Sequence, residues 1–365
     1  IQNVNVDGVI SLTGDINSQN TGGIIGNADN STVISNVSSA VDIDINVDDI
    51  VSGYAAIGGI VGYNNAAISN AIFTEAGSIS FVATSNTSGL DLGGITGYSN
   101  NAKFLNVTNE ADLTVNTALS DATESIGGIV GSNYNSVDIY GIENAINDNT
   151  ITVSGNSVAG FRHIGGLVGV NDAAVYNASS AGIITVTSNI STSPVFDALN
   201  NNYHSGGQNI GGLIGTTYNN GTFATIYNST STTDINVNGN ISGLFGFGSN
   251  ATIGGFIGNN NTFVDNTAVV GNTSQGDVTF TGNLSANGGA NIGGFIGSGY
   301  TNEVLPIVQA ATSSGNVLVN GDSSGSYLNA GSFIGGFSGS MLNVGSSGNT
   351  TVNMNATTIT QTIYN

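Results

Sequence analysis

Apart from its carboxylates, the chain offers few side chains able to do acid–base or ionic chemistry. Its 365 residues hold 23 Asp and Glu, two His, two basic residues and no Cys. A lyase acting on an acidic polysaccharide needs a base beside a charge-stabilising cation. Lys103 and Arg162 stand far apart in the sequence, with no second basic residue near either. A glycosidase needs two carboxylates facing across a groove, and the acidic residues here follow no such pattern. His163 and His204 lack a matching nucleophile motif, and neither H-E-x-x-H nor G-x-S-x-G occurs. No catalytic residue is therefore assigned, and the chain is not expected to be an enzyme. Arg162 and His163 directly precede a Gly-Gly motif, and their expected role is pairing with an acidic loop.

The densest acidic cluster is Asp42, Asp44, Asp48 and Asp49. Calcium takes roughly six to eight oxygens, and these four are the candidate metal ligands. The other reading is a solvated strand edge that discourages edge pairing. Calcium is the only cofactor left open; no cofactor-binding residue is otherwise expected. The formal net charge is −21, which leaves no means of neutralising phosphate and so excludes nucleic acid and anionic membrane surfaces. No apolar run is long enough to span a bilayer, so no membrane insertion is expected.

The elements that must position these groups follow from a repeat. A GG-Φ-x-G element, with Φ Ile, Leu or Phe, starts at Gly22, Gly58, Gly93, Gly127, Gly165, Gly211, Gly254, Gly293 and Gly335. The spacings are 36, 35, 34, 38, 46, 43, 39 and 42 residues, as loop insertions in a stacked array produce. An apolar-x-Asn element follows, as in Ile34-Ser35-Asn36 and Ile68-Ser69-Asn70. Then comes strict alternation: Val41, Ile43, Ile45 and Val47; Ile79 and Phe81; Leu113 and Val115; Ile151 and Val153. Period two with β-branched residues means strands with one buried face. Long helices are not expected from a chain of 55 Gly rich in Asn, Ser and Thr. The predicted fold is all-β: a β-solenoid (β-helix) of about nine three-strand coils, roughly 43 Å long at the spacing of β-strands. A propeller has a similar repeat length, but its blades need four strands.

Read as one strand, the GG-Φ-x-G element is apolar on both faces, which implies burial on both. Ile24, Ile60, Ile95, Ile129, Leu167, Leu213, Phe256, Phe295 and Phe337 are thus candidates for an assembly face, covered by another subunit or by a loop of the same chain. Asn36, Asn70, Asn106, Asn177, Asn228 and Asn266 are expected to stack as an amide ladder satisfying buried polar groups. A sugar-binding row is the sharper alternative. A flat solenoid face invites the thought of ice binding, but along the sequence the Thr residues form no regular rank.

Gly58-Gly59-Ile60-Val61-Gly62-Tyr63-Asn64-Asn65, Gly165-Gly166-Leu167-Val168-Gly169-Val170-Asn171 and the downstream Ile68-Ser69-Asn70-Ala71 resemble the GLUG repeat. The resemblance implies an array within a large secreted bacterial surface protein, adhesin-like and outside any catalytic part.

Residues 1–356 are read as the solenoid and 357–365 as an extended tail that could add as a strand to a neighbour. Neither end shows a cap, so the chain is expected to stack head to tail or to be part of a longer array. The expected function is structural and extracellular, on a cell surface: a fibre or sheath subunit or an adhesin stalk. The expected partners are further copies in an oligomer or filament. A glycan-binding adhesin module, meeting a glycan or surface receptor, is the first alternative; a polysaccharide-active β-helix enzyme is the second.

Overall fold

The computed structural model describes residues 1–86, 88–120, 122–134, 141–158, 160–191, 195–197, 202–204, 207–219, 225–242, 250–262, 268–285, 289–301, 307–309, 311–320, 323–324, 333–335, 338–341, 345–347 and 353–354. Strands run from Gln2 to Met354, and no helix occurs among these residues. They form two nine-stranded sheets and one 27-stranded sheet. A small antiparallel hairpin, Val195–Asp197 with Asn202–His204, stands apart. Within the three large sheets the pairing is parallel, each strand beside its counterpart one repeat away. The molecule is a β-solenoid, not a propeller. About seven turns are described most of the way round, and the last two in pieces. The 357–365 tail and Phe337 lie outside the described residues.

One coil shows how the sequence builds the wall. Ala55–Gly58 belongs to the first nine-stranded sheet and Val61–Asn64 to the second. Ala67–Phe73 and Ser78–Asn86 both belong to the wide sheet. The GG-Φ-x-G element is therefore not one strand. It bends at Gly59 and Ile60 and supplies two faces, while the two downstream elements share the third. The bend stays bonded to the next coil: the Ile95 carbonyl accepts from the amides of both Ile60 (3.1 Å) and Val61 (2.9 Å). Loop insertions leave the register alone. The 46-residue spacing from Gly165 to Gly211 includes the Val195–His204 hairpin, yet Ile164 still pairs with Ile210.

The core is the tube interior. Ile57, Ile60, Val61, Phe73, Ile79 and Phe81 of this coil are buried together, each such side chain contributing roughly 1.5–3 kcal/mol. The alternating strands behave as read: Val41, Ile43, Ile45 and Val47 are buried, with Asp42, Asp44 and Asn46 exposed between them and Asp48 exposed after them.

The glycines explain why both short strands are covered. A Cβ on Gly58 would lie 2.1 Å from the Val61 carbonyl oxygen across its own bend, and one on Gly62 would lie 2.6 Å from the Thr21 amide of the preceding coil. On Gly59 it would strike the Gly94 carbonyl at 2.3 Å and the Phe73 ring at 2.4 Å. Backbone thus covers backbone, as only glycine permits. This corrects the assembly-face expectation. Ile60, Ile95, Ile129, Leu167, Leu213, Phe256 and Phe295 are wholly buried in the chain's own core, and Ile24 packs against it partly buried. The seven wholly buried side chains are not exposed to a partner.

Candidate functional site

The bend folds the two short sheets toward each other, and their core-averted side chains meet in a seam. Along the first sheet, Leu92, Ile126 and Ile164 point into the core, so their neighbours Asp91, Ser125 and His163 point the other way. The second sheet supplies Tyr63, Tyr98, Ser132, Val170 and Thr216 at successive paired positions. Ser132 Oγ donates to Asp91 Oδ1 at 2.6 Å, and Thr216 Oγ1 lies 2.9 Å from His163 Nδ1. Asn209 Nδ2 lies 3.0 Å from the same nitrogen, and Thr252 Oγ1 donates to Asn209 Oδ1. An amide nitrogen can only donate, so His163 Nδ1 accepts and its proton sits on Nε2.

Tyrosines roof the Asp91 end. Tyr63 and Tyr98 stack at 5.0 Å between ring centroids, and Tyr134 follows at 5.6 Å with a 34° tilt. Tyr54 is 55% exposed, and its ring occupies the space beside Gly89, where a Cβ would meet it at 2.4 Å. Beneath them Asp91 is only 4% exposed. Burial pushes its carboxyl up to about 7, against the pull of hydrogen bonds from Ser132 and Ser125. Burial and then the Asp91 charge raise Tyr54; burial leads for Tyr98 and Tyr134 as well. At the other end Phe161 stacks with His163 at 6.2 Å, and loss of hydration lowers His163 to about 4. The seam thus presents phenol hydroxyls and a carboxyl group that is half neutral near pH 7. No basic side chain is brought to Asp91.

Arg162 turns to the opposite side of the wall. It is fully buried and pairs with Glu124, its neighbour on the preceding coil, through Nε to Oε2 at 2.6 Å. Nη1 donates to the Gly155 carbonyl (2.6 Å) and Ser188 Oγ (3.1 Å), and Nη2 to the Thr117 carbonyl (2.6 Å) and hydroxyl (2.9 Å). The acidic partner of Arg162 is therefore a wall residue inside the tube, not a loop. Lys103 pairs with Glu143 at 3.4 Å on the wide sheet, half exposed. His204 lies in the antiparallel hairpin, remote in sequence from both.

The amide ladder exists but runs on the outside. Asn36 donates to Asn3 (3.3 Å), Asn70 to Asn36 (3.0 Å), Asn106 to Asn70 (3.1 Å), Asn144 to Asn106 (3.1 Å) and Asn228 to Asn177 (2.9 Å), all exposed. Each rung is left-handed, with φ between 49° and 57°, a conformation Asn tolerates better than other side chains. The ladder therefore holds the kink in the wide sheet, and does not satisfy buried groups. Asn266 lies outside the described residues. Val270 pairs with Tyr227, so the position after it, matching Asn228, is Gly271, with φ 68°.

Asp42 accepts from Ser78 Oγ of the next coil at 2.8 Å. Asp42, Asp44 and Asp48 are exposed and Asp49 is partly buried. No group of three or more His, Cys, Asp or Glu placed to hold a metal occurs among the described residues. No helix there is long and apolar enough to cross a membrane.

The seam escaped the sequence reading. Its signal was Tyr directly after the third glycine in two consecutive repeats, Gly62-Tyr63 and Gly97-Tyr98, with a carboxylate, Asp91, two residues before the next Gly-Gly. Comparison with family models, curated proteins and solved structures finds no match to the chain. The class of protein is set by the fold, a parallel β-solenoid, and the likeness to the GLUG repeat rests on the motifs quoted above.

Proposed function

We propose that the chain is a structural, extracellular surface protein, a fibre or sheath subunit or an adhesin stalk, in which the solenoid supplies length and stiffness. The observation that carries this reading is the coil-to-coil register kept on all three faces, from Gln2↔Ser35 to Val317↔Met354. Each coil is one covalent turn, and stacking alone buries its inner face. A surface of one charge sign favours solubility and discourages random association. Both basic side chains pair with carboxylates of the chain itself, Arg162 wholly buried and Lys103 at the surface, which supports a structural rather than a lyase reading. Electron microscopy of the natively purified material tests the proposal. Ordered filaments identify a fibre or sheath, and single rods projecting from a larger assembly identify a stalk. Compact particles with no elongated form overturn it.

One observation favours a second reading, a glycan-binding module: the exposed Tyr54 beside stacked Tyr63 and Tyr98 over Asp91. Aromatic rings that also carry a hydroxyl suit pyranose rings. Since the chain has no Trp, tyrosine fluorescence reports binding directly. Neutral oligosaccharides should quench it, and Tyr54→Ala should abolish the response. No quenching across a glycan panel removes this reading.

A further inference from the structure

The outer face of the wide sheet carries a surface that sequence spacing conceals. Pairing places Thr114, Thr152, Thr185, Asn236 and Thr279 in one row, each beside the next along the stack. Two residues along each strand a second row runs Asn116, Ser154, Thr187, Asn238 and Thr281. Thr, scattered by unequal repeat lengths in the sequence, thus fills four of the five places in the first row and two of the five in the second, with Asn or Ser in the others. Rows follow the coil spacing of about 4.8 Å and stand about 6.7 Å apart, and in-register stacking favours a flat face.

Three features give this strip its character. It holds no charged side chain over five coils of a chain with net charge −21. It is solvent-facing, since Leu113, Val115, Ile151, Val153, Ile184 and Val186 point the other way into the core. Among the described residues, the hydroxyls of Thr114, Thr152, Thr185, Thr187, Thr279 and Thr281 are bonded to no protein group. The carboxylates lie in the row alongside and are tied down: Asp112 accepts the Thr150 amide (2.9 Å), Asp234 the Asp277 amide (2.9 Å) and Asp277 the Asn316 amide (2.7 Å). Asp44, in the first of the two rows, closes one end, past Ser80.

We propose that this strip binds ice. A rigid two-dimensional lattice of hydroxyl and methyl groups can hold a water layer that merges with a crystal, whereas charged groups keep hydration shells that cannot. A neutral crystalline polysaccharide would present a similar lattice. It is recognised mainly through aromatic platforms, and the strip has none; the tyrosines of the seam belong to other sheets. This proposal is independent of the structural role above.

Slow growth of ice from a solution of the whole chain, with protein measured in the ice and liquid fractions, is the test. The parent should enter the ice, and shape the crystals seen under a microscope. Thr152→Lys with Thr185→Lys should lower the ice fraction by roughly tenfold or more with unchanged far-UV circular dichroism. Should the lysines disturb folding, Thr152→Val with Thr185→Val keeps shape and strand propensity while removing two hydroxyls, and should also reduce incorporation. Tyr54→Ala, on the seam, should leave ice incorporation unchanged. Exclusion of the parent from ice overturns the proposal, as does a folded double-lysine variant that enters ice like the parent. Retention on crystalline cellulose or chitin with exclusion from ice overturns it in favour of a polysaccharide.

Discussion

Along the wide sheet, Val41, Ile43, Ile45 and Val47 are buried while Asp42, Asp44 and Asn46 between them are exposed; along Ala55–Gly58 and Val61–Asn64 nearly every residue is buried. Both regions have the same parallel register and belong to the same coils. They differ in what lies over the outer face. The wide sheet faces water. The short sheets face each other across a bend, with Gly58 and Gly62 letting main chain approach main chain. Burial on two faces therefore needs no partner. Two short strands joined by a bend can cover each other if glycine allows the chain to fold back.

Several substitutions break or sharpen that contrast. The largest effect is expected at the bend. Gly59→Ala drives a methyl into the Gly94 carbonyl and the Phe73 ring, so a loss above about 4 kcal/mol is expected, read by urea unfolding. Next comes the ion pair inside the tube. Arg162→Met leaves Glu124 buried without its cation and should cost about 3–5 kcal/mol. Adding Glu124→Gln should recover a large part of the loss; equal instability of the single and double variants would show that packing, not charge, dominates.

The seam supplies a pH test. Asp91 rises from an ordinary 3.8 to about 7, and His163 falls from 6.5 to about 4. Between about pH 4 and 6.5 the folded chain keeps an Asp91 proton that the unfolded chain has released, so this group lowers stability as pH rises. Over the same window the unfolded chain carries a His163 proton that the folded chain lacks, so this group raises stability as pH rises. Each slope is about 1.4 kcal/mol per pH unit, and in the parent they oppose each other. Measured against the parent at pH 4.5, 5.5 and 6.5, Asp91→Asn should gain stability with pH and His163→Asn should lose it. Parallel profiles for both variants would place the titration elsewhere.

Smaller effects belong to the exposed face. Asn70→Ala forces a left-handed alanine at a ladder rung and should cost about 1–2 kcal/mol. Asn70→Gly should cost less, since Gly271 occupies the matching place three coils further along the ladder from Asn144. Thr152→Val on the open strip should change stability by no more than about 0.5 kcal/mol.

The fold was legible because two signals agreed. The repeated Gly-Gly marks the period, and alternations such as Ile79-Phe81 and Leu113-Val115 mark one-sided strands. The bend was not legible, because Ile57-Gly58-Gly59-Ile60-Val61 satisfies strand periodicity straight through Gly59; only the approach of Gly94 and Phe73 shows that the chain must turn there. Asn36, Asn70, Asn106, Asn177 and Asn228 were found by their spacing, but nothing in the sequence says that they are left-handed and exposed. Asn266 lies outside the described residues, and the place after Val270 that matches Asn228 is Gly271, because insertions change the sequence spacing between repeats while the pairing is kept. Asp91 was invisible as a site since its partners Ser125 and Ser132 come from the next repeat, and contacts between repeats depend on insertion lengths. The hydroxyl strip was hidden for the same reason.

The coil-by-coil construction also has a mechanical meaning. Tension applied along the stack pulls directly on the hydrogen bonds between neighbouring coils, with only one covalent crossing per turn to bear the load once they part. A detached coil of 36 residues would pay out about 120 Å of chain in place of a rise of about 4.8 Å. A rod built this way is stiff under small forces. Under large ones it lengthens by discrete steps from its end, absorbing work at each, and it can rewind when the load is released.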